Sequence, residues 1–201
     1  MIQRCHKHDG LTLIEVITVL AILSILAGVL IPITIKNIDE SRLTAAQKDT
    51  NAITTAIVNF HIDTKLWPVY AIYPGSMTIY ILSTTKGEMP TATGNEEWLS
   101  AASDDLYDQL IDNETNPQYP SWKGPYLGEL KADPWGRKYY ASVGSLWDNG
   151  GWSAGANPAQ AWVLSSGPDG HIDTDPKGPL NGDPTDSADD IGFLISSYTG
   201  S

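Results

Sequence analysis

LTLIEVITVLAILSILAGVLIPITI, residues 11–35, holds a single charge, Glu15. From Val16 to Ile35 twenty residues pass without another, long enough for a helix to cross a hydrocarbon core of about 30 Å. A carboxylate at that depth costs about 2.5–3.5 kcal/mol on insertion scales, so it reads as functional and requires a partner. Ahead of the run lies a short polar leader, MIQRCHKHDG, ending at Gly10. Arg4 and Lys7 in that leader favour a cytoplasmic N-terminus with the remainder exported. A secretory signal peptide has a shorter apolar core and is cut after it at a small-x-small site. This run is too long and has no good site of that kind behind it. An ordinary anchor has no use for Glu15. Gly10, Leu11 and Glu15 together suggest cleavage before the apolar helix, leaving a new N-terminus close to an acid.

The formal net charge of −12 argues against nucleic acid as a partner. The single cysteine, Cys5, lies in the leader, so a chain cut after Gly10 holds no thiol and no internal disulfide. About 165 residues follow the apolar run, enough for one modest core.

Beyond Lys36 the pattern turns amphipathic. Ile53, Ala56, Ile57 and Phe60 repeat at i, i+3, i+4, i+7, with Asp39, Glu40, Arg42, Lys48 and Asp49 at polar positions. The stripe is expected to pack on the protein's own sheet. Leu66-Trp67-Pro68 stops the helix, because a residue before proline leaves the helical region. One rod of roughly 80 Å from Leu11 to about Thr64 follows from a rise of 1.5 Å per residue. Pro32, with Gly28 a turn earlier, is where it should bend or locally melt. Residues 69–121 read as a long connection with a helix over Glu96–Asp112, capped by Asn95. Lys138–Val143, Ala161–Ser166 and Ile191–Ser196 read as strands of a small sheet, Asp133-Pro134 opens a turn, and Ala154–Pro158 belongs to a loop. Trp135 reads as a buried anchor.

Gly10-Leu11-Thr12-Leu13-Ile14-Glu15-Val16 resembles the class III signal of type IV pilins and pseudopilins, with Leu11 for the commoner Phe. Pro32 falls where that family often has a helix-kinking proline. Asp63-Thr64-Lys65-Leu66-Trp67-Pro68 is similar to the Asp-Thr-Gly-x-Tyr-Pro segment ending the long helix of major pseudopilins, with Lys65 for Gly and Trp67 for Tyr. Trp122-Lys123-Gly124-Pro125-Tyr126-Leu127 and Asp133-Pro134-Trp135-Gly136-Arg137-Lys138-Tyr139-Tyr140 resemble the Gly-Pro-Tyr-Leu and Asp-Pro-Trp-Gly-x-x-Tyr motifs of the type II secretion major pseudopilin.

The resemblance implies an α+β, pilin-like fold: a long N-terminal helix packed on a small antiparallel sheet, with a calcium-binding C-terminal loop. It implies a cleaved leader (1–10), a transmembrane and filament-core helix (11–35), an amphipathic helix (36–68) and a periplasmic globular domain (69–201). Processing falls on Gly10 and Leu11, by cleavage and N-methylation. Assembly rests on Glu15 and Pro32, Glu15 meeting the Leu11 amine of a neighbouring subunit. The implied partners are further copies in a helical pseudopilus, prepilin peptidase/N-methyltransferase, minor pseudopilins and an inner-membrane assembly platform.

Seven aspartates fall between Asp169 and Asp190, against one lysine, Lys177. Crowded carboxylates repel unless solvated or bridged, and hard oxygen donors suit Ca²⁺. The spacing is not that of an EF-hand, and a segment with only His171 and no Cys argues against zinc. The acidic run alone leaves a solvated loop and a cation site equally open. The family's Ser-x-Gly-Ala-Asp-Gly … Asp-x-Asp-Ile loop binds calcium. Ser165–Gly170 is similar to its first half, with Pro168 for Ala, and Ala188–Ile191 to its second. The resemblance therefore implies Asp169 and one of Asp189 or Asp190 as ligands, with the Ser166 carbonyl, Asp173 and Asp175 as further candidates.

The expectation is a non-enzymatic filament subunit in the bacterial inner membrane, serving type II secretion. The alternative is a type IV pilin or competence pseudopilin. An anchored hydrolase or glycan-binding module is the competing class. The sequence shows no Ser-His-Asp arrangement, convincing glycosidase acid pair or metal-hydrolase motif to support it.

Overall fold

The computed structural model describes residues 11–68, 81–92, 98, 103–112, 119, 121–143, 146, 160–174 and 189–197. The chain forms two compact units, one up to Ser41 and one from Arg42.

Helix α1, Leu13–Thr64, begins in the first unit. Every described residue there is exposed, including the large apolar ones from Leu11 to Ile38. The helix is long and apolar enough to cross a membrane, and in its membrane-length window no residue is buried. It is continuous through Pro32, so the expected local melting does not occur. Proline removes the hydrogen bond that its own N–H would make one turn back and crowds the carbonyl there, yet the helical hydrogen bonding resumes on either side.

In the second unit α1 buries Ala46, Thr50, Ile53, Thr54, Ala56, Ile57 and Phe60. They recur every three or four residues, so they lie on one face of the helix. The helix ends at Thr64. Lys65 takes a left-handed conformation, φ 58°, and its N–H closes on the His61 carbonyl at 2.8 Å.

Five strands make the main sheet, in the order β3 (Ser103–Asp105), β1 (Ile81–Ser83), β4 (Tyr140–Ser142), β5 (Gln160–Ser165), β7 (Ile191–Ser197). The pairs β1–β4, β4–β5 and β5–β7 are antiparallel, and β1–β3 is parallel. A short parallel pair, β2 (Thr91–Ala92) with β6 (His171–Ile172), lies beside the acidic loop.

Alternation along the strands divides the core in two. Leu82, Tyr139, Ala141, Val143, Ala161 and Val163 share one cluster with Ile53, Ala56, Ile57 and Phe60 of α1. Ile81, Tyr140, Trp162 and Leu164 form a second cluster with Trp98 and Ile172. Each fully buried side chain of this size contributes about 1.5–3 kcal/mol. Burial pushes the Tyr140 phenol up to about 12, and burial with the Asp49 carboxylate beside it holds Tyr139 well above the usual range.

Three expectations are corrected. The sheet has two further strands, β1 and β3, drawn from the segment read as a connection. The helix expected over Glu96–Asp112 is confined, among the described residues, to α2, Leu106–Leu110. Ser103–Asp105 is strand instead, because its backbone pairs with β1. Trp135 is only half-buried, and the deeply buried aromatics are Trp98, Tyr139, Tyr140 and Phe60. Asn95 and the Ala154–Pro158 loop lie outside the described residues.

Candidate functional site

Two places hold the residues singled out in the sequence. At the N-terminal end, Thr12 precedes the first helical residue and Glu15 stands three further on, the spacing of a capping box. Glu15 Oε2 accepts the Thr12 backbone N–H at 2.9 Å and the Thr12 hydroxyl at 2.7 Å, while the Thr12 hydroxyl receives the Glu15 N–H at 3.4 Å. Glu15 is therefore engaged within its own chain. Thr12 was not singled out from the sequence, although Thr-x-x-Glu before an apolar run is a readable signal. Leu11, Glu15 and Pro32 are exposed, and Gly10 lies outside the described residues.

The second place is the loop from Ser165 to Thr174. Gly167 and Gly170 both have positive φ, 59° and 83°, values that favour glycine. At Gly167 a side chain would also collide with the Asp189 carbonyl. The two halves of the acidic segment thus approach one another backbone to backbone. Asp169 N–H donates to Asp189 Oδ2 at 2.9 Å, and His171 N–H to Asp169 Oδ1 at 2.7 Å. Carboxylate oxygens of Asp169, Asp173 and Asp189 come within 4.8 Å of one another. Burial, and then the neighbouring Asp169 and Asp190 charges, raise the Asp189 carboxyl above the usual range, against the N–H bond from Asp169. A cation would relieve that repulsion, and an all-oxygen donor set fits a hard ion. These three residues can hold a metal ion.

Of the other candidate ligands, Asp190 stands outside this group. Asp190 is buried, and its Oδ2 accepts the Asp173 N–H (3.1 Å), the Thr174 N–H (2.9 Å) and the Thr174 hydroxyl (2.7 Å). It holds the far end of the loop, and of the Asp189–Asp190 pair only Asp189 joins the cluster. Ser166 is buried and its carbonyl receives the Gly170 N–H at 3.2 Å. Asp175 lies outside the described residues.

Two side chains distant in sequence support the loop. Trp98, fully buried, donates its indole N–H to the Thr174 carbonyl at 2.6 Å. Arg137 donates to the Gly167 and Pro168 carbonyls, the latter at 3.1 Å. Neither was foreseen, because both contacts are made across the fold.

The Trp122–Leu127 motif does a different task. Lys123 Nζ and the Tyr126 hydroxyl meet Asp63 at 3.0 and 3.2 Å, Trp122 donates to the Gln109 carbonyl at 3.1 Å, and Tyr126 packs edge-on against Phe60. Within the second unit, the motif fastens the end of α1 to the segments around Gln109 and Trp122.

Residues 5–31 match the prokaryotic N-terminal methylation motif. Over 136 residues, 67% of this chain, the sequence is 29% identical to a Type II secretion system core protein G of Pseudomonas aeruginosa, of which 72% is covered. Over 144 residues, 71% of this chain, it is 25% identical to a Type II secretion system core protein G of Vibrio cholerae, of which 76% is covered. No solved structure matches the chain significantly.

Proposed function

We propose that this chain is the major pseudopilin of a type II secretion system, a structural subunit that polymerises into a periplasmic pseudopilus and drives export of folded proteins across the outer membrane. The similarity to two core G proteins over about two thirds of the chain supports this most directly, because it extends well past the methylation motif. In this reading the apolar part of α1 crosses the inner membrane once, with the second unit in the periplasm. Prepilin peptidase cuts after Gly10 and methylates Leu11. Minor pseudopilins and the inner-membrane platform then receive the subunit. The chain performs assembly and no turnover of substrate.

Glu15 has two successive partners in this scheme. In the free subunit it caps its own helix through Thr12. In the filament it meets the Leu11 amine of a neighbour, where two charges otherwise stranded at low dielectric fix the register. Mass spectrometry of the membrane-extracted protein should give a chain beginning at methylated Leu11. Glu15→Ala should insert and be cleaved normally yet assemble few filaments. An intact leader, or normal filaments from Glu15→Ala, would sink the reading.

The group at Asp169, Asp173 and Asp189 is proposed to hold Ca²⁺, which accepts six to eight oxygens at about 2.3–2.6 Å in flexible geometry. Its chemistry there is neutralisation of the carboxylates. The chain's own residues supply the shape: Asp190 and Trp98 grip Thr174, and Gly167 admits the Asp189 backbone.

A further inference from the structure

Arg137 lies against an aspartate-rich loop, yet among the described residues no carboxylate stands within ion-pair distance of its guanidinium. The group is spent on the backbone. Nη1 donates to the Gly167 carbonyl and lies 3.4 Å from Ser166 Oγ, and Nη2 donates to the Pro168 carbonyl at 3.1 Å. Gly170 leaves the space: a Cβ there would stand 2.6 Å from the Arg137 Cζ. Arg137 is itself anchored. Its N–H donates to Asp133 Oδ1 at 2.7 Å and its carbonyl accepts the Asp133 N–H at 2.8 Å. The other Asp133 oxygen receives the Ser165 hydroxyl at 2.7 Å, and Ser165 Oγ accepts the Gly167 N–H at 3.3 Å.

We infer that Arg137 is the positioning residue of the cation loop: it fixes the carbonyls of residues 167 and 168, so that Asp169 is presented to Asp173 and Asp189 before any ion arrives. The inference rests on the cation reading above and adds a residue that is not a ligand. Two effects oppose each other. A guanidinium near a dication repels it, so simple electrostatics makes loss of Arg137 tighten binding. Loss of the fork also frees residues 166–170, which binding must then order again. The partly exposed charge is screened by water and salt, whereas two charge-assisted hydrogen bonds to one turn are lost outright, so ordering dominates. Removing outer-shell support of this kind weakens metal affinity about 10- to 100-fold.

The test is calcium titration calorimetry on the full-length mature protein in detergent, comparing wild type, Arg137→Gln and Arg137→Lys, with melting recorded in calcium and in EGTA. Arg137→Gln should raise Kd about 10- to 100-fold. Arg137→Lys should fall between, since a lysine keeps the charge and loses the fork. An unchanged Kd with equal loss of melting temperature in both buffers would mean a merely structural arginine and overturn the inference. Tighter binding by Arg137→Gln would overturn it in favour of repulsion. Should Arg137→Gln not fold, an Arg137→Lys affinity equal to wild type overturns it just as well. A wild-type protein that takes up no calcium defeats the cation reading itself, an outcome distinct from the others.

Discussion

Lys65 shows how one residue records a departure from its surroundings. It follows the last turn of α1 in the left-handed region, φ 58°, where a side chain costs about 1–2 kcal/mol that glycine avoids. The sequence resembles Asp-Thr-Gly-x-Tyr-Pro at this point, and the backbone explains why glycine suits the third position. The turn persists here because it is tied from several sides. Lys65 N–H reaches the His61 carbonyl, the Thr64 hydroxyl reaches Phe60 at 2.8 Å, and His61 stacks on Trp67 with ring centres 3.8 Å apart. Lys65→Gly should raise stability by about 1 kcal/mol, allowing for the looser unfolded chain, as read from chemical denaturation of the full-length protein in detergent. A loss of stability would show that the lysine side chain supports the turn.

The element that decides the architecture is α1, and its two parts bury differently. Its apolar residues before Ser41 are exposed, while from Ala46 to Phe60 one stripe is buried in the second unit. Period 3.6 made that stripe legible, because residues at i, i+3 and i+4 share a face. Phe60 is fully buried and has Tyr119 edge-on at 4.7 Å and Tyr126 at 5.8 Å. Phe60→Ala should cost about 3–5 kcal/mol in the same denaturation experiment. Ile22→Ala, at an exposed position of the same helix, should leave that transition unmoved. The strands were less legible. Ile81–Ser83 and Ser103–Asp105 are three residues each, too short to display alternation, and are held by pairing with partners far along the chain.

At the scale of the whole molecule, the sheet has two buried faces and the acidic loop sits at the edge of the second. Ile172, between the loop's Asp169 and Asp173, is fully buried in the cluster with Trp98 and Tyr140. A cation held at Asp169, Asp173 and Asp189, as proposed above, would therefore stabilise the core beneath it. At an ion concentration about a hundredfold above Kd this linkage is worth about 2.7 kcal/mol, or roughly 5–11 °C of melting temperature for a chain of this size. Adding EGTA to the full-length protein should lower its melting temperature by that amount, and magnesium in excess should restore little of it. No change on chelation would remove calcium from the account.

What the sequence determined by itself is whatever lies in contiguous residues: the apolar span with its lone Glu15, the helical stripe to Phe60, the stop before Pro68 and the acidic character of the loop. Each rests on periodicity, local sterics or local charge, which need no knowledge of distant contacts. Tertiary structure decided the rest. It chose Asp189 over Asp190 for the acidic cluster, because Asp190 turns inward to cap residues 173 and 174. It brought Arg137 and Trp98 onto a loop that begins about 30 and 70 residues later, contacts that no pattern announces. It also turned part of an apparent connection into two strands, because a backbone pairs wherever a neighbouring strand offers partners, whatever its own propensity.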